Sequence, residues 1–174
     1  ARHAMPVLLG GDDSVAEPFV AGWRDHGPVT VVHIDAHLDF RDEVAGERHG
    51  YSSPMRRASE MEWVRRVIHV GQRSVGSARP SDVQDSLAAG NVIVTAAELA
   101  RVGPEGVAER LEPGERFVVV YDVDGTDPTT ADHVINHVAS RAQMFGVEAA
   151  VKVAGHGRPL PATWRRRRLP TRRH

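Results

Sequence analysis

Val29 to Asp39 reads V-T-V-V-H-I-D-A-H-L-D, a β-branched run that ends in two aspartates and a histidine spaced two apart. Val29, Thr30, Val31, Val32 and Ile34 have high strand propensity and no proline interrupts them, so the run reads as a buried parallel strand. Asp35, His37 and Asp39 follow at i, i+2 and i+4, and an extended backbone would send all three side chains to one side. Carboxylates crowded at the poorly solvated end of a strand repel one another or take up protons unless a cation compensates them. A divalent metal is therefore the expectation. His33 is expected to face away from Asp35 and to be either a packed core histidine or one that supports the ligands from outside, rather than a ligand itself.

The same pattern recurs at Phe117 to Pro128, F-V-V-V-Y-D-V-D-G-T-D-P. Here an apolar run delivers Asp122 and Asp124 to one face, and Gly125 with Asp127-Pro128 turns the chain. A third stretch, Leu8 to Ser14, L-L-G-G-D-D-S, places acids just after a short apolar run. Three strand ends thus offer metal-type ligands. Taken singly, Asp122 and Asp124 could be turn formers and His49 a plain loop histidine, while Asp12 and Asp127 read as caps. Ligands of carboxylate and imidazole type without sulfur suit a hard to borderline divalent ion, manganese above all.

Four stretches, G-G-D-D-S at 10–14, H-I-D-A-H-L-D at 33–39, H-G-Y-S-S-P-M-R-R-A at 49–58 and Y-D-V-D-G-T-D-P at 121–128, together resemble the ureohydrolase family. These are the arginases and agmatinases. The chain is most similar to the agmatinase-like branch, over about Val7 to Pro128. The resemblance implies an arginase-like fold truncated at both ends and a cofactor of two Mn2+ ions. It also implies hydrolysis of a small guanidino substrate, agmatine-like, to urea and an amine by a metal-bridging hydroxide. By the same resemblance Asp35 and Asp122 would bridge the ions, Asp13 and Asp39 would complete one, and His37 and Asp124 the other. His49 would carry a proton to the departing amine. Asp13 departs from the family, which has G-G-D-H-S at this point. The family's guanidinium-holding glutamate is not visible either, which leaves an inactive metal-binding remnant as an alternative.

The rest of the chain frames this reading. At 174 residues it has room for one domain with a real core. Helices are expected at Ser14–His26, Pro54–Arg66, Pro80–Ala89, Ala96–Arg101 and Pro104–Leu111, and strands at 7–9, 67–71 and 92–94 besides the two above. Strands alternating with helices predict a three-layer αβα sandwich with a mainly parallel sheet. Ligands in such sheets bind beyond the carboxyl ends of the strands, where these acids lie. Arg56 and Arg57 are expected on a solvated helix face.

Composition is that of an ordinary globular protein, 41% hydrophobic and 26% charged. No apolar stretch approaches the ~20 residues that span a bilayer, so no membrane partner is expected. With no cysteine, thiolate sites are excluded, and a cytoplasmic location is compatible. The acidic excess of residues 1–128 gives way to a basic one in 129–174, a segment read as divergent from the family fold. A helix at 133–146 is the one element expected there. The arginines of Arg165 to Arg173 allow a basic-tailed module for an acidic partner, but the run Arg165–Arg168 has no interleaved aromatic beyond Trp164, so nucleic acid is not expected. Incomplete sheet edges, and the oligomers of relatives, suggest a homo-oligomer.

Overall fold

In the computed structural model, the described residues are 7–10, 12–122, 134 and 149–154. Six parallel strands form one sheet in the order β1-β6-β5-β2-β3-β4, with β1 Val7–Gly10, β2 Val29–Ile34, β3 Val64–Gln72, β4 Val92–Thr95, β5 Phe117–Asp122 and β6 Ala149–Ala154. The helices are α1 Ala16–Ala21, α2 Pro54–Ser59, α3 Pro80–Ala88 and α4 Ala96–Ala108.

Strand alternation divides the core into two layers. Odd positions of β2 and even positions of β5 send Val29, Val31, Val118 and Val120 toward a cluster with Val20 of α1 and Met55 and Ala58 of α2. Val32, Ile34, Phe117, Val119 and Tyr121 point the other way, against Leu99 and Val107 of α4. Each fully buried valine or isoleucine contributes roughly 1.5–3 kcal/mol, so β2, buried at every position, is firmly fixed in the sheet. The expected three-layer architecture is the one observed.

Chain direction then positions the site. From β2 the chain moves outward through β3 to β4, then returns to place β5 on the other flank of β2. The order reverses between β2 and β5, and a crevice opens at such a switch point beyond the strands' carboxyl ends. Asp35 follows β2, and Asp122 ends β5.

Several local readings change. The helix expected over Pro54–Arg66 stops at Ser59, and β3 begins at Val64 rather than Val67. Pairing of Val29 with Val64, and the Trp63 indole donating to the Val20 carbonyl at 3.2 Å, draw this stretch into the sheet. The helix expected at 14–26 is a short α1 between two 3-10 turns. Arg57 is buried rather than solvated, with its guanidinium 2.9 Å from both Asp42 and Glu60. The pair of helices expected at 96–111 is α4, bent at Gly103, where φ is 69°. Of the segment set apart at 129–174, Ala149–Ala154 forms β6 between β1 and β5, a strand that sequence reading did not assign. The helix expected at 133–146 lies outside the described residues except for Val134, buried in the α4-side cluster.

Candidate metal centre

Beyond Ile34 the backbone leaves the strand, so the acids meet through a turn and not along an extended run. The loop is pinned to β3 and its following loop: the Asp35 N–H donates to Val70, the Arg73 N–H to Ala36, and the Leu38 N–H to Ser77, each at 3.0–3.1 Å. Asp35 folds back on its own chain, its Oδ1 accepting the His37 N–H at 2.8 Å and lying 3.2 Å from His37 Nδ1. Asp39 has φ of 49°, a left-handed conformation that aspartate tolerates better than most residues, and its carbonyl accepts the Met55 N–H at the start of α2.

The result is a tight acidic cluster. Ligand atoms of Asp35, His37 and Asp122 lie within 4.8 Å of one another, as do those of Asp13, His33 and Asp39. Asp13 reaches the site from the 3-10 turn after β1 and is buried; Asp12 caps that turn, accepting the Ser14 N–H at 2.9 Å. Asp124 and Asp127, expected as ligand and cap, lie outside the described residues.

His33 stands where the sequence reading did not put it. Residues 33 and 35 are two apart and share a strand face, so His33 turns toward the acids instead of away from them. Its Nε2 is 3.4 Å from Asp35 Oδ2 and 3.7 Å from Asp39 Oδ2. His33 Nδ1 is 3.2 Å from Nδ1 of His69, a second fully buried histidine. His69 passed unremarked in the sequence, since only the pairing of β2 with β3 brings it beside His33.

The electrostatics identify the strain. Burial pushes the Asp39 carboxyl well above its ordinary value, and the neighbouring carboxylates of Asp35, Asp13 and Asp122 push it further. Burial also works against Asp35, yet His33 and the His37 N–H beside it hold its carboxyl below the usual range. Burial, then His33, drives the His69 imidazole well below its ordinary value, which keeps it neutral.

A divalent cation fits this donor set. Four carboxylates converge, one is forced toward protonation for want of positive charge, and the buried Asp35 Oδ2 has no hydrogen-bond partner. His49, the expected proton carrier, is exposed and its Nδ1 lies 3.0 Å from Glu17 of α1. A small cleft beside the cluster is lined by His37, Asp39, Arg41, Ser52, Ser77 and Asp82. Among the described residues no helix is long and apolar enough to cross a membrane.

Comparison with known proteins gives the family. Residues 1–139 match the model of the arginase family. The chain is 33% identical over 138 residues to a mitochondrial arginase of Medicago truncatula, covering 76% of the chain and 39% of that protein. It is 32% identical over 137 residues to a mitochondrial agmatinase of Gallus gallus, covering 75% of the chain and 40% of the relative. The fold superposes on Trypanosoma cruzi formiminoglutamase with Mn2+ at a TM-score of 0.71 and 18% identity, covering 88% of this chain and 58% of that one. The chain thus spans about two fifths of the curated relatives it matches. With the four sequence stretches, the parallel sheet and the acidic cluster at its switch point in agreement, the chain belongs to the arginase family.

Proposed function

We propose that this chain carries the dinuclear metal centre of an amidinohydrolase that cleaves a guanidino compound, agmatine-like, to urea and an amine. The observation that carries the reading is the meeting of Asp13, Asp35, Asp39 and Asp122 at one crevice with His37, in a balance of charge that needs a cation. These five residues would hold two Mn2+ ions, joined by Asp124 on the strength of the family resemblance. When bound, the ions supply a water acidified to near neutral pH and positive charge for the oxyanion that develops.

The chain's own groups do the rest. Asp35, with Oδ1 fixed by the His37 N–H, presents Oδ2 in a set orientation. The acidic crevice attracts a cationic guanidinium and disfavours anionic substrates. His49, donating Nδ1–H to Glu17, keeps Nε2 as the ring atom that takes up and returns a proton as the amine departs. Asp13 in place of the family's histidine adds negative charge to the site. Assembly into a homo-oligomer is part of the same proposal, and the basic tail is outside the described residues.

Metal content of the purified protein by elemental analysis, followed by urea release from agmatine, arginine and guanidinobutyrate with added Mn2+, tests the reading. Two bound ions with urea from at least one compound are expected. Bound metal with no urea from any of them leaves a binding remnant, and absence of metal removes the proposal.

A further inference from the structure

We propose that Asp42 is a positioning residue for His49: one carboxylate oxygen of Asp42 ties the exposed loop that carries His49 to the buried guanidinium of Arg57 in α2. The tie stands on the geometry of the loop. Only its effect on turnover rests on the amidinohydrolase reading.

Every residue from Asp42 to His49 is exposed, so burial of apolar surface does not hold this stretch in place. Its shape is set from within. The backbones of Val44 and Glu47 exchange hydrogen bonds at 2.9 and 3.0 Å across a tip where Ala45 and Gly46 have φ of 54° and 87°. The Glu43 carboxylate accepts the Gly46 N–H at 3.0 Å, and the Glu47 carboxylate accepts the His49 N–H at 2.6 Å. These bonds form the loop but do not say where it stands on the protein.

Among the described residues, its side chains make hydrogen bonds or ion pairs with the body of the protein at two points. At one, His49 Nδ1 lies 3.0 Å from Glu17 of α1. At the other, Asp42 Oδ1 accepts from Arg57 Nη2 at 2.9 Å and from Arg48 Nη2 at 3.0 Å, with Arg56 Nε at 3.6 Å. An ion pair between two exposed side chains fixes little, because both partners move and water screens them. The Arg57 side chain is only 5% exposed, so this tie has one immobile end. The oxygen that meets Arg57 also meets Arg48, the residue before His49, and through it the position of α2 reaches the backbone beside the proposed proton carrier. The hydrogen bond from Arg57, followed by the charges of Arg48 and Arg56, holds the Asp42 carboxyl below its ordinary value.

Without Asp42, His49 keeps only its contact with Glu17, and the ring moves with the loop. Glu60 accepts from the same Arg57 nitrogen at 2.9 Å, so Asp42→Ala frees the loop without leaving a buried charge unpaired.

Three measurements on the full-length chain test the proposal. Trypsin cleavage of the Arg48–His49 bond, identified by mass spectrometry, should be about 2–10-fold faster in Asp42→Ala than in the parent, as local opening becomes more frequent. The His49 imidazole resonance of the metal-free chain should move in Asp42→Ala and return in Asp42→Glu, which keeps the carboxylate. With agmatine and Mn2+, Asp42→Ala should lower kcat about 10-fold, a part of what a positioned proton carrier supplies, at unchanged KM and Mn2+ affinity. In a His49→Ala background the same substitution should change kcat no further. Equal cleavage rates or an unmoved His49 resonance overturn the proposal, and so does an equal loss of kcat in both backgrounds. A parent chain that releases no urea counts against the amidinohydrolase reading, while the cleavage rate and the His49 resonance still decide whether Asp42 positions His49.

Discussion

Asp39 bears the charge of the whole cluster, because it is the carboxyl that burial and three neighbouring acids together drive toward its neutral form. In the folded, metal-free chain its proton is held well above the ordinary value of 3.8. Between those two pH values the folded state keeps a proton that the unfolded state has released, so Asp39 lowers stability as pH rises through the window. Asp39→Asn should therefore raise the melting temperature of the metal-free protein at neutral pH. The same change should weaken Mn2+ binding by more than the roughly 10–100-fold that loss of an outer partner causes. Calorimetry in EDTA and a Mn2+ titration check the two halves, and a variant less stable than its parent in EDTA would refute the assignment. Asp13, Asp35, Asp39 and Asp122 were legible in the sequence because each comes after an apolar strand run, and strand ends converge in parallel sheets. His33 was legible by the same two-residue alternation and was misread. His69, with Ser86 Oγ 3.2 Å from its Nε2 and Asn91 Nδ2 donating to that hydroxyl at 3.3 Å, was not legible, since these contacts join β3, α3 and the start of β4 through tertiary packing that local periodicity does not encode.

At the level of elements, the site depends on how closely the end of β3 approaches the loop after β2. Gly71 makes that approach possible: its φ is 95°, and a Cβ there would stand 3.3 Å from the Asp35 carbonyl oxygen. Gly71→Ala is expected to lose roughly 1–3 kcal/mol from a left-handed backbone and to displace Asp35 as well. Gly114→Ala, with φ of 78° but open space around it, supplies the comparison. Chemical denaturation should place the two variants near each other, while Mn2+ affinity should fall only in Gly71→Ala. Equal metal affinity in both would show that the contact at Asp35 does not matter. The strands were readable from their β-branched runs, and the bend of α4 from Gly103-Pro104. Helix α2 was read too long because Met61, Trp63 and Val64 supply apolar positions that suit either period, and pairing with β2 decides between them. Strand β6 carries a lysine in a short Ala/Val run, too weak a local signal to place it between β1 and β5.

For the molecule as a whole, two buried groups oppose each other in their effect on pH stability. His69 has its imidazole well below 6.5 in the folded chain, so the unfolded state takes up the proton first and stability is lost as pH falls below that value. Asp39 acts in the opposite sense, lowering stability as pH rises above 3.8. In the metal-free chain the two partly cancel in the interval between. A cation at the cluster relieves Asp39 and leaves His69 untouched, and it competes with the Asp39 proton, so its affinity tightens as pH rises. Metal at 100 times its dissociation constant adds about 2.7 kcal/mol to the folded state. Melting temperatures measured from about pH 4 to 7.5 in EDTA and in excess MnCl2 should therefore diverge steadily, with the steeper rise in the metal series. In Asp39→Asn the EDTA series alone should already show the steeper rise, because the opposing carboxyl is gone. A gap between the two native series that stays constant across this range would mean that proton and metal do not share Asp39, and the cluster would then hold its charge in some way other than by binding a cation.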